Sequence, residues 1–304
     1  MMRERSADGT ARSVPQRRAG RLAARPGPAL TVLCLGLVLA GCGGGGGRSL
    51  EDYHRTAFDA PDFVDPTTST NRLFPLRPGT QWVRQGTTDV GSREVPHQVV
   101  STMTDVIREI DGVPTIAMLD EDTDAGELAE ASIDYFGLDK EGNVWLMGSY
   151  TADYSGGQFT NSADAWLGRS EGGEPGILMP ADPDTSSPPW VVGLEPGGDG
   201  TGAEVDETGV RKCVEFACYE DVLVVREADI EGDESEFKYY APDVGQILNS
   251  PSRDSSHKDQ ESLVNLTELS TAGLDEMSSE VLDLEGHARE SKPELFGTPS
   301  TRTP

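Results

Sequence analysis

From about Thr80 to Glu268 the chain is a succession of short segments rich in Val, Ile, Thr and aromatic residues. Gly, Pro and Asp turns close them, and no helix-like stretch intervenes. That pattern calls for strands joined by hairpins, and so for an antiparallel all-β domain. Thr80 to Gly86 puts Trp82 and Arg84 on one side and Val83 and Gln85 on the other. Val95 to Ile110 reads as a long, bent strand, Asp111-Gly112 as a hairpin turn, and Val113 to Leu119 as the return strand. Glu127 to Leu138 and Val144 to Tyr150 flank a turn at residues 139–143. Shorter strands are expected at Gln158 to Thr160, Ala165 to Leu167, Gly176 to Met179 and Trp190 to Val192. The last group is Ala203 to Phe216, Tyr219 to Ala228, Glu236 to Tyr240, Gly245 to Asn249 and Ser262 to Glu268. Residues 71–268 then form one domain, with ample chain for a single core. In residues 269–304, Leu274, Met277, Val281 and Leu284 recur at helical spacing, and the tail from about Lys292 is expected to be without structure.

The N-terminus has a different character. Seven Arg residues precede a twelve-residue apolar run, Ala29 to Ala40. That is the layout of a secretory signal, and the run is too short for the ~20 residues of a membrane-spanning helix. Leu39-Ala40-Gly41-Cys42 resembles the lipobox of bacterial lipoproteins, which implies cleavage after residue 41 and a lipidated Cys42 as the new N-terminus. Residues 1–41 are then the signal peptide, and residues 42–70, Gly-rich and then acidic, a flexible tether. The implied location is extracytoplasmic, held to the cell membrane by the lipid.

Losing residues 1–41 removes those seven Arg and two acids, which leaves 18 basic and 51 acidic residues and a net charge of −33. Such a surface repels nucleic acid and anionic headgroups, so nucleic-acid binding is excluded as a role. It favours cations and basic partners. Cys34 leaves with the leader and Cys42 carries the lipid. Cys213 and Cys218 remain, and in an oxidising compartment they are expected to pair. Closing so small a loop contributes roughly 2 kcal/mol on the chain-entropy model.

Chemistry-bearing motifs are scarce. No nucleophile elbow, zinc-protease helix, phosphate loop or dinucleotide fingerprint occurs, so no catalytic residue is assigned and no cofactor is expected. The one metal candidate is Asp120, Asp122 and Asp124 ahead of Gly126, alternating oxygens like those that open a calcium loop. Gly126 falls one place late, however, and residue 131 is Ala where a bidentate Glu belongs. The alternative is a solvated turn between strands that end at Leu119 and begin at Glu127.

Four stretches resemble uncharacterised exported proteins of high-GC bacteria: Phe74-Pro75-Leu76-Arg77-Pro78-Gly79-Thr80-Gln81-Trp82, Asp134 to Trp145, Pro175 to Pro183, and Lys238 to Gly245. The first is also similar to the opening of curved-sheet lipoproteins of the half-barrel type. The resemblance implies a curved antiparallel sheet or half-barrel and carries no catalytic assignment. On such a sheet Tyr135, Trp145 and Trp166 either fill the core or line a ligand-facing wall. The expected role is a non-enzymatic envelope protein that binds a small apolar or peptidic ligand or a protein partner. A structural role comes next, and a wall-directed hydrolase or a calcium module last.

Overall fold

Period-two patterning joined by two-residue turns dictates a meander, and the computed structural model of this chain is one. It describes residues 48–161, 165–230, 232, 234–252, 255 and 259–302. All belong to the second of two units, Gly46–Pro304; the leader and Cys42 lie outside the described residues. Twelve strands follow in order: β1 (Thr80–Val90), β2 (Arg93–Ile110), β3 (Val113–Asp124), β4 (Glu127–Asp139), β5 (Val144–Ser155) and β6 (Glu174–Met179), then β7 (Trp190–Leu194), β8 (Gly200–Cys213), β9 (Cys218–Asp229), β10 (Ser235–Ala241), β11 (Gly245–Pro251) and β12 (Gln260–Glu268). Each runs antiparallel to the next, and β12 pairs with β1. The expected half-barrel is therefore a closed up-and-down barrel, which leaves no edge in its wall.

Turn chemistry sets the register. Asp111 and Gly112 (φ 52° and 82°) and Ala125 and Gly126 (φ 52° and 89°) make the two-residue turns whose twist matches the flanking strands. Closure depends on Gly86. A Cβ there would lie 1.6 Å from the Gln260 carbonyl oxygen, so only glycine admits β12 at that point of the seam. The seam ladder runs from Gln260 opposite Thr87 to Glu268 opposite Thr80.

One barrel end is plugged by residues 71–79. The Asn71 amide donates to the carbonyls of Gly142 (3.1 Å) and Pro180 (3.3 Å). Phe74 packs edge-on against Phe136 with centroids 4.9 Å apart, and Leu76 is fully buried. The Trp82 indole donates to Val244 O at 2.6 Å, which ties the β10–β11 turn to the same end.

Both terminal segments cover the outer wall. Residues 48–70, expected as tether, are packed: Phe58 and Phe63 surround Trp145, and Phe63–Val64 pairs with β4. After β12, helix α1 (Thr271–Ser291) starts at Ser270, whose hydroxyl accepts from Gly273 N–H at 3.2 Å. It buries Val281, Leu284 and Ala288. The tail beyond Lys292, expected to lack structure, instead forms α2 (Pro293–Phe296), buries Phe296 completely and adds Thr301–Arg302 to β2. A short apolar stretch with Pro and Gly gave no periodic signal for this, because its anchors are single side chains. Beneath α1, Arg108 lies 3.2 Å from Glu285, which also accepts from the Tyr135 hydroxyl at 2.7 Å and from Ser300. Arg302 forks onto Asp105 with two contacts of 2.7 Å. Cys213 and Cys218 are disulfide-bonded across the β8–β9 hairpin, with Cα atoms 3.9 Å apart.

Candidate binding site

Inside the barrel is a cavity of about 410 Å³ to which all twelve strands contribute. That lies in the ~300–1,000 Å³ range of small-molecule sites. Phe74, Pro75, Trp82 and Phe136 close its plugged end. The walls beyond them are charged, which is uncommon for a protein interior and places strong demands on pairing.

Three cations face the cavity, and each is engaged. Arg84 lies 3.2 Å from Glu261 and donates to Ser101 at 2.8 Å; Ser101 in turn donates to Asp120. Lys238 sits 2.6 Å from Glu227 and 3.1 Å from Glu236. His97 contacts Asp124 through Nδ1 (2.8 Å) and Glu261 through Nε2 (3.3 Å). An imidazole with a carboxylate on each nitrogen is held as the cation: the Glu261 contact, outweighing burial and helped by Asp124, raises its pKa to about 9. Burial works against ionised Glu261 and Glu236, but His97 and Arg84 hold the first below the ordinary range, and Lys238 the second.

Asp259 accepts from Thr88, and Asp120, Asp122 and Asp134 remain. They face inward from the neighbouring strands β3 and β4, and no ion pair among the described residues reaches them. Burial raises all three. In Asp134 the nearby Asp120 adds to it, and the pKa reaches about 7. Asp120 is raised despite Arg84 and Ser101, and Asp122 is raised further by Glu130 and Asp120. Two acceptors are also unmatched. Glu227 Oε1 and Asn249 Oδ1, on two residues that line the cavity, are buried and accept no hydrogen bond. A second chamber of about 210 Å³ shares Thr201, Glu227, Glu236 and Lys238 with the first and adds Asp229 and Glu234. The interior as a whole is rich in acceptors and short of donors.

The residues singled out from sequence fall in three places. Asp120 and Asp122 line the cavity, and Asp124 meets His97. They lie neither in a calcium loop nor in a solvated turn, because β3 continues to Asp124, pairing Asp122 with Glu130 and Asp124 with Glu127. A strand spreads alternate carboxylates along one face, whereas a calcium loop wraps them around one point. Among the described residues no group of three or more His, Cys, Asp or Glu is arranged to hold a metal ion. Tyr135, Trp145 and Trp166 are buried and line no part of the cavity. Tyr135 bonds to Glu285 under α1, the Trp145 indole donates to Asp139 at 2.8 Å, and Trp166 packs near Gly193. Cys42 lies outside the described residues. The sequence patterns assign no role to Arg84, His97, Asp134, Glu227, Glu236, Lys238 or Glu261. A signal for part of the site is charge recurring two residues apart, as at Asp120 and Asp122 and at Glu236 and Lys238, within strands otherwise rich in apolar residues.

No described helix is long and apolar enough to cross a membrane. No protein family and no curated protein matches the chain. Among solved structures, a proposed lipoprotein from Parabacteroides distasonis ATCC 8503 is 11% identical, with a TM-score of 0.36, over 65% of this chain and 99% of its own. A proposed exported protein with a YmcC-like fold from Bacteroides fragilis NCTC 9343 is 13% identical, with a TM-score of 0.29, over the same shares.

Proposed function

We propose that the chain is an extracytoplasmic, lipid-anchored binding protein whose barrel interior takes a small, positively charged molecule. The observation that supports it is the set of three carboxylates, Asp120, Asp122 and Asp134, on one wall of a cavity whose own cations are engaged elsewhere. A bound cation would return these groups to their ionised form and supply the missing donors. The lining thus favours a charged guest over the apolar one expected from sequence. Calorimetry at pH 8 should show saturable binding of butylammonium, weakening as salt rises, with butyrate about tenfold weaker or absent. Equal binding of the two ions, or preference for butyrate, would exclude the reading. The anchor is tested separately: wild-type protein should partition into detergent and Cys42→Ala should stay in water, and equal partitioning removes the lipid.

One observation favours a second reading. Asp134, poised near neutrality beside Asp120, has the proton affinity of a general acid. A hydrolase would show turnover of chromogenic glycosides that Asp134→Asn abolishes; turnover equal in that variant removes the assignment.

A further inference from the structure

Four strands change character over a single inward step. Nearest the plug, β1, β3, β4 and β10 present Trp82, Met118, Phe136 and Tyr240 to the cavity. Two residues toward the opposite end they present Arg84, Asp120, Asp134 and Lys238. The strand directions make these steps parallel in space. β1 and β3 leave the plugged end as their numbers rise, and β4 and β10 approach it, so the apolar residue is nearer the plug on all four. Phe74 and Pro75 from the plug, Leu146 of β5 and Leu178 of β6 extend the apolar part. The boundary is narrow, since two strand residues advance only about 7 Å.

A site for a simple cation needs no apolar floor, and a site for a hydrocarbon would not bury carboxylates above it. We infer that the guest is an amphipathic organic cation, its apolar body on Trp82, Phe136 and Leu178 and its ammonium or guanidinium head between Asp120 and Asp134. Glu227 and Asn249, on the charged side of the same boundary, each keep a buried acceptor atom without a donor. This inference rests on the cation-binding reading above and adds the apolar half of the guest.

The test is calorimetric titration of wild-type protein at pH 8 with octylammonium, methylammonium and octanol. Octylammonium should bind about tenfold or more tighter than either of the others, because only it satisfies both halves of the cavity. In the Asp120→Asn, Asp134→Asn double variant the octylammonium advantage over octanol should fall by about tenfold while octanol is unchanged. Methylammonium binding as tightly as octylammonium would overturn the amphipathic guest and leave the cation site standing. Octanol binding as tightly as octylammonium would overturn both. The wild-type series decides the matter even if the double variant does not fold.

Discussion

Asp134→Asn should raise the unfolding free energy of the empty barrel at pH 8 by about 2–4 kcal/mol and leave it nearly unchanged at pH 4. The folded protein binds a proton at Asp134 up to about pH 7, whereas the unfolded chain releases it near 3.8, the ordinary value of an aspartate. Over that window the native state holds more protons than the unfolded one, so stability falls as pH rises from about 4 to about 7. A shift of about three units is worth ~4 kcal/mol, and water in the cavity lowers this toward ~2. The amide keeps the shape and removes the charge. His97 acts in the same direction over a higher window. Its pKa is raised to about 9, so its contribution is complete below about 6.5 and disappears as pH climbs through about 9. Glu261 and Glu236, held low, stabilise above the ordinary carboxylate range and lose that contribution as pH falls. Together these place the greatest stability in mild acid. Urea melts of wild type and variant at both pH values check it; an equal change at pH 4 and pH 8 would show that charge is not the cause.

Glu285→Ala should destabilise the barrel by about 3–5 kcal/mol. Glu285 is completely buried and is the carboxylate beside Arg108, which is 4% exposed, so the truncation leaves a guanidinium in the protein interior facing Tyr135 and Phe296. It also takes the acceptor from the Tyr135 hydroxyl, a further cost of roughly 1–3 kcal/mol that overlaps the first. Replacing both partners, as in Glu285→Leu with Arg108→Met, should recover most of the loss, because the costly state is the unpaired charge rather than the missing pair. Proteolysis should report the location: α2 and the Thr301–Arg302 strand become the first sites cut in the single variant. A loss below about 0.5 kcal/mol would mean that water or rearrangement satisfies Arg108 after truncation.

Much of the architecture could be read from residue patterns. The strands expected at Val95 to Ile110 and Glu127 to Leu138 occur within a residue or two, and α1 forms on the spacing of Leu274, Met277, Val281 and Leu284. Closure could not be read, because it depends on whether β12 can reach β1. That contact turns on Gly86, whose role shows only when Gln260 is beside it. The site was hidden for a different reason. Alternation sorts side chains onto two faces but does not say which face is the inside. In this barrel the outer face is also covered, by α1 and by residues 48–70, so Tyr135 and Trp145 are buried there. The inside holds the carboxylates instead. In sequence Asp120 and Asp122 look like loop residues, because acids usually end a strand; here they continue one, since a polar cavity accepts them.

Within the barrel wall eleven of the twelve ladders join strands that follow one another in the chain, and only the seam between β12 and β1 joins the two ends of the wall. Ring formation should therefore be the late, slow event of folding. Until it occurs, the nascent chain carries two raw borders able to recruit other polypeptides. Helix α1 follows β12 directly and reaches past β1 to clasp β2 through Ser278 on Asp105 (2.7 Å). It is thus a buckle over the joint, and a chain cut short after residue 268 would complete the ring yet lack the fastener that keeps it shut.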